Sequence, residues 1–318
     1  MRSALRNLRD ARSSPSRLNR SYGERMATPA ILLDPIPAPR PVDERLHEAV
    51  VARVSDARSL PVLPRAAAEL MVIVGKDTTT AKQISDVIHR DQALAAHVLR
   101  VANSPSYRGT AAIVSLQQAV ARIGQHTLGQ IALSASLKAG LFDVRGQSTL
   151  VRRMWHRAYA TALFAKEIAR ARRTNVESAF LCGLLHDVGA PVVLHAAVIA
   201  AERWRKKPSQ AVLEMTVEAL RTGVGVQLAE LWELPRKVQA CIAGHERFEA
   251  AGDHRDDAAA IALARALARA LAEMGPDDEP SAVLDHPAVT ELNLYPDEVE
   301  ALIAHRERIA EAMKVVGA

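Results

Sequence analysis

The sequence predicts an all-α protein. Apolar residues recur at helical spacing in one segment after another, and no sustained alternating run with strand composition interrupts them. Aromatic residues, which strands favour, make up only 3% of the chain, so the helical pattern has no competitor.

The first 25 residues stand apart. They hold Arg2, Arg6, Arg9, Arg12, Arg17, Arg20 and Arg25 against Asp10 and Glu24, a net of +5 that equals the charge of the whole chain. The remaining residues therefore sum to zero, and no nucleic-acid binding is expected of the folded body. This stretch lacks apolar periodicity and the compact apolar centre of a secretory signal, so it reads as disordered. Met26 offers an alternative start of translation. The proline-rich residues 26–41 extend this leader, giving a disordered segment over 1–41.

Helices are then expected at 42–57, 65–74, 80–89, 91–103 and 115–123, with Leu60-Pro61-Val62-Leu63-Pro64 forming an extended interruption. Ser115 and Gln118 have the spacing of a capping box. A longer helix over 125–142 ends at 143–148, where a subdomain boundary is placed. Beyond it come helices at 149–172, a helix opened by a second capping box at Thr174 and Glu177, then 192–206, 209–221, 224–232, 236–245, 257–274 and 296–315. Thr222-Gly223-Val224-Gly225 reads as a junction between helices, because it lacks the preceding strand of a phosphate loop. The stripe Val299, Leu302, Ile303, Ile309 and Met313 is expected to pack on its own domain. Arg203, Arg205, Lys206 and Lys207 read as a solvated helix end.

No run of about eighteen uninterrupted apolar residues occurs, so no membrane-spanning helix is expected. Cys182 and Cys241 are too few for a disulfide framework and read as small core residues in a reducing compartment, here the cytoplasm.

The chemistry-bearing stretch is 180–189, Phe-Leu-Cys-Gly-Leu-Leu-His-Asp-Val-Gly. A helix apolar on nearly every face is buried, and burying His186 beside Asp187 costs several kcal/mol, on the order of that for any charged group, unless both are hydrogen-bonded or metal-bound. An adjacent His–Asp pair supplies two ligands in metal-dependent phosphohydrolases. It serves equally as a mutually satisfied link between helices.

The residues around the pair bear on that choice. Leu60-Pro61-Val62-Leu63-Pro64, Asp91 with Leu94, Leu99 to Ser104, Ile123-Gly124, Trp155, the 180–189 stretch, Trp232-Glu233-Leu234-Pro235 and His245 follow one another in an order that resembles the HDOD family. These are output domains of bacterial signalling proteins related to metal-dependent hydrolases. The resemblance implies two packed helical subdomains, the second HD-phosphohydrolase-like. It places an HDOD domain over 42–255, split into 42–147 and 148–255, with C-terminal helices over 256–318 packing on the second part.

It also implies that the metal site is degenerate. Where the family often has a histidine two residues after the tryptophan, this chain has Arg157, and His156 points about 100° away around the helix. Where a histidine commonly stands four residues before the glycine matching Gly225, it has Arg221. The late His-His pair reads His245-Glu246, and a late helix that carries an aspartate in active hydrolases reads Ala264-Arg265. His186, Asp187 and His245 remain as residual metal candidates, with Arg157, Arg265 and Arg221 as candidate charge replacements for the metal; Arg157 or Arg265 is the expected partner of Asp187.

The expectation is a non-catalytic bacterial signalling module that binds partner proteins, downstream of two-component or cyclic-di-GMP signalling, with no cofactor, metal or membrane. The partner is an unknown signalling protein, and homo-oligomerisation is left open. Two alternatives are a metal-dependent phosphohydrolase of nucleotides or cyclic nucleotides, and a nucleic-acid-binding regulator.

Overall fold

The computed structural model describes residues 41–74, 79–107, 111–203, 207–273 and 281–317. The leader expected over 1–41 lies almost wholly outside these residues, as do Arg205 and Lys206 of the basic cluster. The described residues form α-helices and short 3-10 turns with no strand, so the fold is all-α.

Helix α1 (Pro41–Val54) precedes the extended Leu60–Pro64 segment. Then follow α2 (Arg65–Val74), α3 (Ala81–His89), α4 (Gln92–Ala102) and α5 (Leu116–Ile123), all packed around the longer α6 (Gln125–Leu141). Side chains fix these boundaries. Asp91 Oδ1 accepts the Leu94 amide at 3.0 Å at the head of α4, and Asn103 closes it by donating to Leu99 and Ile113 carbonyls and accepting the Ile113 amide at 2.8 Å. One asparagine thereby ends a helix and pins the loop that leads to the next.

The capping boxes differ from expectation. Ser115 Oγ accepts from the Gln118 amide, but the Gln118 side chain accepts from Val114, one residue before the cap. A reciprocal box forms instead at Thr80 and Gln83.

The second half is built on α7 (Ser148–Ala171), which packs against α8 (Val176–Leu185). Asn175, not Thr174, caps α8, its Oδ1 accepting the Ser178 amide at 2.7 Å. Glu177 is thereby released for a different task. It accepts from Gln130 of α6, whose own side-chain oxygen accepts from Lys166 of α7 at 2.6 Å, so one polar chain ties both halves together. Burial is the main reason that the Lys166 ammonium is pushed down to about 8.

Helix α9 (Gly189–Glu202) starts only three residues after α8 ends, with Pro191 in its first turn, where no backbone donor is needed. The stretch Val176–Glu202 is long and apolar enough to cross a membrane by composition, yet it is two helices with a turn at His186 and most of it is buried in the fold. The next helix, α10 (Gln210–Leu231), runs unbroken through Thr222–Gly225, which corrects the expected junction there. The reason is the crossing with α9. Gly225 sits beside Gly189, and a side chain on Gly189 would meet the backbone of α10, so the glycines buy close approach at a propensity cost of about 1 kcal/mol each.

Helix α11 (Arg236–Gly244) and α12 (Arg255–Glu273) complete the second half. Four shorter helices follow: α13 (Ser281–Leu284), α14 (Pro287–Glu291), α15 (Pro296–Ala304) and α16 (Arg306–Gly317). The single C-terminal helix expected over 296–315 is thus divided at His305, while Val299, Leu302 and Ile309 are buried as its stripe required. Helix α1 packs on α9 and α10, so the chain's first described helix lies on the second half. Trp232 Nε1 donates to the Pro61 carbonyl at 3.0 Å, a second fastening between the halves.

Candidate functional site

His186 stands at the C-terminal end of α8 and Asp187 follows in the turn to α9, so the helix break itself presents both side chains to the centre of the second half. His245 occupies the equivalent end of α11. The two imidazoles meet edge to face, with ring centroids 5.1 Å apart. Each ring anchors Nδ1 on a carbonyl three residues back: His186 on Gly183 at 2.7 Å and His245 on Ile242 at 2.8 Å. As donors there, both rings are neutral with Nε2 left as a lone pair, and His245 Nε2 is buried with no hydrogen-bond partner among the described residues. Burial chiefly, then the nearby arginine charges against the opposing pull of Asp187, lowers the His186 imidazole to about 4. Burial and its imidazole neighbour hold His245 well below the ordinary range.

Asp187 faces an arginine. Arg221 Nη1 of α10 lies 2.9 Å from Asp187 Oδ1, and the Arg221 side chain is 2% exposed. The N–H is not aimed at that oxygen, so the attraction is mainly one of charge, without a well-directed hydrogen bond. Burial is the largest influence and favours the neutral acid at Asp187, but the Arg221 charge together with His186 and His245 holds the carboxyl below its ordinary value. Arg221 also binds Glu218 at 2.8 Å, one turn back on its own helix, and Glu246 from the end of α11. Arg265 of α12 approaches the same Glu246 oxygen at 3.5 Å. Two guanidinium groups thus face three carboxylates around a pair of neutral histidines.

Of the arginines expected near Asp187, Arg221 and Arg265 converge on the site and Arg157 does not. Arg157 is exposed on α7, with no ion pair to Asp187 among the described residues. The expected pairing with Arg157 or Arg265 is therefore corrected to Arg221, because α9 crosses α10 in backbone contact while Arg265 reaches Glu246. Glu218 and Glu246 were missed as members of the site. The spacing of Glu218 and Arg221, three apart on a helix, was the available signal.

The same order of motifs is recognised by the HDOD family model, which matches residues 60–248. The chain belongs to the HDOD family. A solved structure from Shewanella amazonensis SB2B, described as a "putative phosphohydrolase", shares 23% identity with a TM-score of 0.62, covering 85% of this chain and 97% of that one. Another, from Marinobacter aquaeolei VT8 and described as a "putative signal transduction protein", shares 23% identity at TM-score 0.61, covering 87% of this chain and 66% of that one. Both show the same HDOD-type fold. An uncharacterized protein of Treponema pallidum (strain Nichols) is 24% identical over 214 residues, 64% of this chain. The match covers 40% of that relative's length.

A hydrolase-related domain raises the question of a metal, and the donor set here does not fit one. The imidazoles keep a tautomer suited to coordination through Nε2. The carboxylate, however, is already held by a permanent cation, and no three His, Cys, Asp or Glu side chains among the described residues are arranged to hold an ion. With two arginines against three carboxylates, the local charge stands near −1, and a divalent ion would reverse it beside buried Arg221.

Proposed function

We propose that this HDOD protein is a non-catalytic signalling output module of the bacterial cytoplasm that acts by binding other proteins. The observation that carries the reading is the Arg221–Asp187 pair, in which a guanidinium stands against the carboxylate that a hydrolase of this kind would give to its metal. A metal-bound water is the nucleophile in such chemistry, and without the carboxylate and a third ligand its generation fails. The family's association with bacterial signalling supplies the direction: input from a two-component or cyclic-di-GMP pathway, passed to a partner through the helical surface.

The test has two arms. Purified protein is incubated with p-nitrophenyl phosphate, bis-p-nitrophenyl phosphate and cyclic dinucleotides in the presence of zinc, manganese or iron. No turnover above that of the Asp187→Ala variant is expected, and turnover abolished by that substitution overturns the reading. In parallel, crosslinking in the native host followed by mass spectrometry is expected to recover a signalling protein at one defined face. Its absence together with turnover would establish the hydrolase instead.

A further inference from the structure

Helices α7, α10, α12 and α16 enclose a cleft of about 1020 Å³, separate from the His186–Asp187 turn but bordered by Glu218, which holds Arg221. Its apolar lining is aliphatic: Met154, Met215 and Met313 together with Leu150 and Leu271. Three of the chain's seven methionines meet here, and their unbranched, flexible side chains adapt to a chain-like ligand better than a rigid core would. The rim is basic, with Arg152, Arg153, His156, Arg157 and Lys314 against Glu214 and Glu218.

Half of the four permanent cations on this rim are paired. Arg153 pairs with Glu214, and Lys314 pairs with Glu311 at 2.9 Å. Arg152 and Arg157 have no described carboxylate within ion-pair distance, although, behind the Gln210 hydrogen bond, the Arg157 charge helps to hold the Glu214 carboxyl below its ordinary value. The surplus is felt nearby: burial first, then Lys138 and Arg152, hold the His156 imidazole below its ordinary range. No phenylalanine, tyrosine or tryptophan lines the cleft, so a nucleobase would find no ring to stack on. The volume is at the upper end of the roughly 300–1,000 Å³ typical of small-molecule sites.

We propose that this cleft binds a single-chain aliphatic anion, with a carboxylate or phosphate head held by Arg152 and Arg157 and its hydrocarbon tail laid against the methionine lining. Glu218 borders the cleft and also grips Arg221, so the cleft and the Asp187 network have this one residue in common. The ligand is either a free amphiphile or a membrane lipid, since both present this chemistry.

Calorimetry on the full chain with sodium dodecanoate, kept below its micelle concentration, decides the matter. One saturable site per chain is expected, with at least tenfold weaker binding in Arg152→Glu/Arg157→Glu and no change in Arg58→Glu, a distant exposed arginine. Dodecyltrimethylammonium, of equal chain length and opposite charge, should bind at least tenfold more weakly than dodecanoate. Circular dichroism establishes that the variants are folded; Arg152→Gln/Arg157→Gln serves if charge reversal impairs folding. Phosphatidylglycerol vesicles that bind the parent, lose the double variant and are displaced by dodecanoate identify a lipid as the source. The proposal is overturned by absence of saturable binding, by vesicle binding indifferent to both arginines, or by capture of an acidic leucine–glutamate helical peptide where dodecanoate fails.

Discussion

A methyl group on the α-carbon of Gly189 would overlap the carbonyl oxygen of Arg221, so these two residues stand in backbone contact where α9 crosses α10. The same crossing delivers the Arg221 side chain to Asp187, two residues before Gly189.

Gly189→Ala is therefore expected to be far more damaging than its size suggests. The added carbon meets backbone on α10, including the Gly225 nitrogen at 2.6 Å, and backbone cannot swing aside as a side chain can. A loss of about 3 kcal/mol or more is expected in urea unfolding, at the severe end of overpacking. Gly225→Ala, whose nearest neighbour is the Ile242 side chain at 3.0 Å, should cost clearly less. Equal losses from the two substitutions would contradict this account of the crossing.

Breaking the Arg221–Asp187 pair from the Asp187 side leaves the buried guanidinium with only its two more exposed partners, Glu218 and Glu246. Asp187→Ala should destabilise by about 3–5 kcal/mol, because Arg221 is almost wholly buried and loses its most buried counter-ion. Asp187→Ala combined with Arg221→Leu should recover part of that loss, whereas combination with Arg157→Leu should show no coupling. A double-mutant cycle reads this directly, and additivity of the Asp187 and Arg221 changes would refute the link.

Acid should weaken the fold through its histidines. An unfolded histidine takes up a proton near pH 6.5, while folded His186 resists until about 4 and His245 is likewise depressed. Between those values the unfolded chain holds more protons, so stability is full above pH 6.5 and declines as pH falls toward 4, by on the order of 3 kcal/mol for His186 alone. Asp187, with its carboxyl held low, adds a further loss below that window. Urea midpoints measured from pH 7 to pH 4 should fall less steeply in His186→Gln than in the parent; identical slopes would remove His186 as the cause.

Elemental analysis should find well under one zinc, iron or manganese per chain. Arg221→His, which replaces the guanidinium on Asp187 with a nitrogen donor, is expected to raise the bound metal toward one per chain. One tightly held ion in the parent, lost on His186→Ala, would overturn the ion-pair reading of the site.

Much of this architecture is written locally. Asp91, Asn103 and Ser115 act at helix ends through their own side chains, and Pro61 with Pro64 forbids helix between α1 and α2, so those boundaries are visible in sequence. Thr222–Gly225 is misread because its glycines answer to Gly189 on another helix, and no local pattern records that. Thr174 and Glu177 are misread for a related reason: Asn175 caps equally well and frees Glu177 to meet Gln130. At the site, sequence offers Arg157, Arg221 and Arg265 as candidates and favours Arg157 or Arg265 as the partner of Asp187. The close approach of α10 to α9 brings Arg221 to Asp187, while Arg157 lies on the exposed side of α7, and no local pattern records either.

The hydrogen bond from Trp232 to the Pro61 carbonyl spans 171 positions, and it gives the domain a direction in time. A ribosome making this protein must finish α10 before the Leu60–Pro64 segment has its partner, so the early helices emerge long before the chain that fastens them. A nascent chain halted before Gly189 would lack α9 and α10, and so leave exposed the apolar face that α1 buries against them. The first half is therefore synthesised long before the helices that cover α1 and the tryptophan that fastens Pro61.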